Sequence, residues 1–167
     1  RPLSSYTQRH QAKLVARDVL ARYAAHQLWL KPGVLVNVSP AKAAAVEHDL
    51  QRLLATQAPC SVCALGAAAC AIAGFEDELK LAAPMWDGDA SILGLDSDGV
   101  KDKLKRVLGE HTMMAIECAF EKGKGVYDYN HTDNDGTPVF SDAEETALRG
   151  FVKRHRSYKA RFLAIWQ

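Results

Sequence analysis

Cys60-Ser61-Val62-Cys63-Ala64-Leu65-Gly66-Ala67-Ala68-Ala69-Cys70-Ala71-Ile72-Ala73-Gly74 is the stretch whose reading decides the fold. It carries no charge. Wound at about 100° per residue, Cys63, Gly66, Ala67, Cys70 and Gly74 fall on one face, and nothing on that face is larger than a thiol. Buried cysteine behaves as a small hydrophobe. So shallow a face lets another helix approach closely. The segment therefore reads as the central, most buried helix, starting near Cys60 and capped at its end by Gly74. The surrounding run from Ala58 to Phe75 is too short and too weakly apolar to span a bilayer.

Working outward, a first helix is expected from about Gln8 to Leu30, on the helical spacing of Ala12, Val15, Val19, Tyr23 and Leu30. Lys31-Pro32-Gly33 breaks it. Val34–Val38 is β-branched, but no second strong strand accompanies it, so it reads as an extended link. Ser39-Pro40 is a sharp helix start, opening a second helix that carries Val46, Leu50, Leu53 and Leu54 and ends before Pro59. After the central helix comes a long acidic loop, 75–99, with at most one helical turn around Asp77–Leu81. Ser97 or Asp98 caps a helix over Val100–Leu108, and another runs over about Glu110–Glu121. A loop spans Gly123–Phe140. Ser141-Asp142-Ala143-Glu144 is a capping box that opens one last helix, with Leu148, Phe151, His155, Tyr158, Phe162, Ile165 and Trp166 on its core stripe. The fold class is all-α: an irregular or orthogonal array of five or six helices in one domain, 1–167, with residues 1–6 flexible.

The composition, 48% hydrophobic and 25% charged, argues against wholesale disorder. A net charge of +1 provides no global field to attract nucleic acid or a membrane surface. The charge is segregated nonetheless. Glu76 to Asp98 holds seven acids and one base, whereas Arg149 to Arg161 holds six bases and no acid. The plainest reading is that both surfaces are solvated or face each other.

Cys60-Ser61-Val62-Cys63 invites chemistry. At a helix N-terminus the dipole and unpaired N–H groups lower a thiol's pKa. The spacing resembles the alkylhydroperoxidase-like motif, with Glu47 and His48 upstream at about the right distance, but the position of that family's downstream His is Ala67. A zinc site would need two further ligands from Cys70, Cys118, His111 or His48, with no second C-x-x-C to supply them. Cys60 with His48 as base would make a thiol hydrolase, without an oxyanion motif. Set against these, the structural reading of the thiols as the small side of a packing helix is the strongest.

The run Cys60–Ala67, followed by Met114-Ala115-Ile116-Glu117-Cys118-Ala119-Phe120-Glu121, resembles small proteins carried by bacteriophages and prophages. In these a CxxCALGA helix precedes an IExAFE helix and a final helix rich in aromatics and bases. The resemblance covers roughly Pro59 to Trp166. It implies a virus-encoded accessory protein in the cytoplasm of a bacterial host, with no defined activity.

Asp133-Asn134-Asp135-Gly136 fails as a calcium loop at both ends and reads as an Asx-rich turn. His155, on the core stripe, reads as a packed histidine. Arg149, Lys153 and Arg156 recur at i, i+4 and i+7 opposite the core stripe, a solvated face or an anion site. Tyr127 and Tyr129 on the preceding loop would offer base stacking if they lie beside it. There is no P-loop, G-x-G-x-x-G, G-x-S-x-G or H-E-x-x-H. No cofactor or metal is therefore expected, and enzymatic activity is left open, leaning against. The function expected is binding of a host protein or a small anionic ligand such as a nucleotide, through Arg149, Lys153, Arg156, Tyr127 and Tyr129. Membrane and nucleic acid are disfavoured as partners, and self-association stays open. The alternative is a redox or zinc protein using Cys60, Cys63 and His48.

Overall fold

Short apolar runs that a helical period would absorb form a sheet instead. The computed structural model describes residues 5–47, 50–75, 92–93 and 97–167. In it β1 (Leu28–Leu30), β2 (Val36–Asn37), β3 (Cys60–Val62) and β4 (Ile92–Leu93) make a mixed sheet in the order β1-β3-β2-β4. The central strand β3 pairs parallel with β1, Leu28 opposite Cys60, and antiparallel with β2, Val36 opposite Val62. Cys60 and Val62 are buried and Ser61 between them is partly exposed, the period-two pattern of a strand. The chain is mostly helical, but the all-α expectation is corrected: Leu28–Leu30 leaves the first helix, Val36–Asn37 is paired rather than a link, and Cys60 precedes its helix.

The helix boundaries shift for one recurring reason. α1 (Ser5–Ala24) stops before Leu30 because His26 adopts a left-handed φ of 59°. The Gln27 N–H then reaches the Arg22 carbonyl and the His26 N–H that of Tyr23, the paired closure of a Schellman motif. The second helix divides into α2 (Pro40–Ala45) and α3 (Leu50–Ala55), with Glu47 at φ 55° between them. Ser39 caps α2, its hydroxyl accepting from the Lys42 N–H at 3.2 Å.

Farther along, α5 (Ser97–Leu108) and α6 (Glu110–Phe120) fall close to where hydrophobic spacing put them. The last helix is two: α7 (Asp142–Arg154), opened by the Ser141/Glu144 capping box, and α8 (Tyr158–Trp166), with its own N-cap at Ser157. The acidic stretch 76–91 and residues 94–96, with the turn sought at Asp77–Leu81, lie outside the described residues, as do 1–4.

The small-residue helix is α4 (Ala64–Phe75), and every residue from Val62 to Ala73 is buried. It packs against α1, α3, α5, α6 and β3, so it is central, as its composition implies. Cys63 is its N-cap: the Gly66 N–H donates to Sγ at 3.4 Å and the Ala67 N–H to the Cys63 carbonyl at 3.0 Å. What approaches the small face at Gly66 is a loop backbone rather than a second helix. A Cβ on Gly66 would overlap the Leu35 carbonyl, whereas one on Gly74 would meet only the far end of Arg22 at 3.1 Å.

Gly66→Ala is therefore expected to lower stability by about 3 kcal/mol through overpacking against a backbone that cannot swing away. Gly74→Ala should be neutral, or gain up to about 1 kcal/mol from helix propensity. Urea midpoints of the two variants check this, and an unmoved midpoint for Gly66→Ala would refute the close approach.

Candidate anion-binding site

The break between α7 and α8 is organised by one side chain. Arg161 is fully buried. Its Nε donates to the Phe120 carbonyl at 3.0 Å, and Nη1 to the carbonyls of His155 at 2.9 Å and Arg156 at 2.8 Å. Phe120 is the last residue of α6 and His155 the C-cap of α7. A single guanidinium therefore satisfies orphan carbonyls at two helix C-termini, where the dipoles favour positive charge. Its Cζ also stacks 4.4 Å from the Tyr158 ring centroid. Among the described residues no carboxylate lies within ion-pair distance of it, and its buried Nη2 has no acceptor. Burial pushes its pKa down from the usual value, with Tyr158 and Glu121 opposing.

Lys122, Val152, Lys153, Arg156 and Arg161 line one hollow of about 440 Å³ at this junction. Lys153 and Arg156 are exposed, and Lys122 is partly so. Lys122 Nζ stands 5.4 Å from the same Tyr158 ring that carries Arg161. None of the four cations has a salt bridge among the described residues. The nearby Glu121 is engaged elsewhere, its Oε1 accepting from the Gly33 N–H at 2.8 Å. The result is a concave surface of one sign, floored by a charge that water does not reach.

Two residues of the sequence-predicted cluster, Lys153 and Arg156, belong to this hollow, and Arg149 does not. Arg149 is held by Glu145, Nη2 to Oε1 at 2.9 Å, and lies 4.1 Å over the Tyr129 ring. Tyr129 itself sits so close to Gly123 that a Cβ there would overlap the ring. Tyr127 is buried, edge-on to His131 at 5.0 Å between centroids. Neither tyrosine lines the hollow, so the expected base-stacking surface is not assembled there. The regular i, i+4, i+7 spacing fails because the helix breaks after Arg154. Lys122 and Arg161, which sequence reasoning left out of the site, come from the end of α6 and from α8. One signal was present for Arg161: it stands three residues after Tyr158 and four before Ile165, inside an apolar stripe where a base must be buried or the stripe broken. His155 packs against Phe151 with ring centroids 4.6 Å apart, as a core-edge histidine should.

The thiols take the opposite environment to that of a reactive pair. Cys60 lies in a strand, not at a helix start. Burial pushes its pKa up to about 11 and that of Cys63 up to about 12, outweighing for Cys63 the hydrogen bond from Gly66. Cys70 is pushed up in the same way, and Cys118 to about 11. All four are buried and unbridged. Among the described residues no three His, Cys, Asp or Glu side chains are grouped to hold a metal ion. His48 lies outside those residues. His111, considered as a ligand, pairs through Nε2 with Glu144 and packs edge-on against Phe140. Asp133 forms the Asx turn its spacing implies, Oδ1 accepting from the N–H groups of Asp135 and Thr137 at 2.9 Å each. No family model matches the chain, and no curated protein or solved structure is significantly similar to it.

Arg161→Lys replaces a planar fork by a point donor that cannot span three carbonyls. It should cost about 3 kcal/mol, given the worth of charge-assisted hydrogen bonds, and thermal or urea unfolding reads it. The thiols set a second expectation. Their folded pKa values exceed the unfolded value, so the neutral thiol is the form the fold favours. The stability they contribute is complete below about pH 9 and is lost as the pH rises towards about 11 and 12. Urea midpoints should fall from about pH 9 upward. A midpoint that rises over that range would contradict the burial.

Proposed function

We propose that this chain acts by binding, as an accessory protein of the kind phages carry, and that its ligand is anionic and docks in the hollow between the ends of α6 and α7 and the start of α8. The observation that carries the reading is Arg161: a buried guanidinium with no carboxylate partner and one idle Nη2 among the described residues, set beside Lys122, Lys153 and Arg156, which form no ion pair among those residues either. Like charges gathered without acids repel one another, and an incoming anion relieves that repulsion. Among the described residues the hollow's lining has no carboxylate, histidine, thiol or hydroxyl, so these residues offer hydrogen-bond donors and charge rather than a nucleophile or a general base. Among the described residues no helix is long and apolar enough to cross a membrane. A cytoplasmic setting in a bacterial host belongs to this proposal and rests on the resemblance to phage-borne proteins.

The test is a charge-reversal triple variant, Lys122→Glu, Lys153→Glu and Arg156→Glu, which leaves Arg161 in place. Ligand-induced thermal shifts are measured with inorganic phosphate, citrate and polyglutamate. The parent should be stabilised by at least one of them, in a salt-dependent manner, by about 1–3 kcal/mol at saturating anion. The variant should lose that shift while retaining its own transition. A parent indifferent to every anion rejects the reading, and so does a variant that responds as the parent does.

A further inference from the structure

We infer that the group the hollow takes is the dianionic phosphate of a small monoester, recognised by its charge and its three terminal oxygens rather than by whatever carries it. The inference rests on the anion-binding reading of the site. Three observations lead from anion to phosphate. The first is the number of charges: Lys122, Lys153, Arg156 and Arg161 line one hollow and no acid among the described residues lines it, so a monoanion would leave most of the repulsion in place. The second is donor geometry. Arg156 presents a guanidinium fork and Lys122 and Lys153 present ammonium points, from the end of α6, from α7 and from the turn before α8, while Arg161, its Nε and Nη1 held by carbonyls, adds the field of its buried charge. A carboxylate has two oxygens in one plane, whereas a monoester phosphate offers three strong acceptors disposed around an axis and can meet donors converging from several sides. The third is what the lining lacks. Val152 is the one apolar residue among its described lining, Tyr127 is turned to His131, and Tyr129 is covered by Arg149. Among the described residues no aromatic face lines the hollow to stack a base, so those residues would hold a nucleotide by its phosphate. A volume of about 440 Å³ suits a small ligand.

Lys122 supplies a variant that separates binding from folding. It adopts φ 59° one residue past the C-cap of α6, with the Lys122 N–H to the Ala119 carbonyl at 3.4 Å and the Gly123 N–H to the Cys118 carbonyl at 2.8 Å. This is a Schellman position that glycine occupies with least strain. Lys122→Gly thus removes one cation of the hollow while easing the backbone.

The experiment is isothermal titration calorimetry of the intact chain at pH 7.5 with methyl phosphate, dimethyl phosphate, methyl sulfate and acetate. Methyl phosphate, the dianion, should bind about tenfold or more tightly than the three monoanions. Lys122→Gly should weaken methyl phosphate by about tenfold with a melting temperature no lower than the parent's. Equal affinity for all four anions overturns the phosphate assignment and leaves the anion reading intact. No binding of any of them, with no thermal shift by citrate or polyglutamate, overturns both. Parental affinity in Lys122→Gly, or capture of a phosphoserine peptide without capture of methyl phosphate, also overturns it.

Discussion

The contact between the Leu35 backbone and Gly66 governs how this molecule is put together. It lets the loop between β1 and β2 lie directly on the first turn of α4, where any side chain would hold it off. The same loop accepts the Cys63 N–H through the Val34 carbonyl at 3.0 Å, so strand, cap and helix are tied within a few residues. β3 then lies between β1 and β2, and α4 leaves the sheet already surrounded. The remaining helices close around a rod of Ala, Cys and Gly whose diameter is set by backbone more than by side chains. Close packing at interior density does the rest.

A second organising element sits at the opposite end of the chain. Buried arginines are ordinarily matched by carboxylates, because an unpaired ion in the interior is costly. Arg161 is matched by the carbonyl ends of α6 and α7 and by the face of Tyr158. Dipoles and a quadrupole offset desolvation without cancelling the formal charge. The surface above it therefore stays positive, and the lysines and Arg156 around it add to the same field. The device that holds three helices together also gives the hollow its sign.

Much of this was legible in the chain. The uncharged run of tiny residues announced the buried helix, Ser39-Pro40 and Ser141/Glu144 marked two helix starts, and the apolar spacing in Leu104–Leu108 and Met113–Phe120 located α5 and α6. The strands were not legible, since two or three residues cannot establish a period against the helical one. Two helix ends, at His26 and Glu47, were missed because they are written without glycine; these residues, with Gln57 and Lys122 at two further helix ends, all take left-handed φ between 55° and 59°. Of the site, Lys153 and Arg156 were visible as neighbours on a helix. Their true companions were not, because only the turn at Ser157 and the end of α6 bring Arg161 and Lys122 to them. The C-x-x-C, the loudest motif in the sequence, dissolved into a strand and a cap.

Those four glycine-free helix stops have a consequence for how the protein has room to change. Each holds a side chain in a conformation that costs about 1 kcal/mol or more relative to glycine. Together they amount to a latent reserve of stability, within reach of single substitutions. A lineage able to draw on such a reserve can absorb destabilising changes elsewhere, for instance in a binding surface adapting to a new partner, without falling below the threshold for folding. By contrast the central helix has almost no such latitude, because at Gly66 there is no smaller residue to retreat to. Adaptation in this fold is thus channelled to its turns and away from its axis.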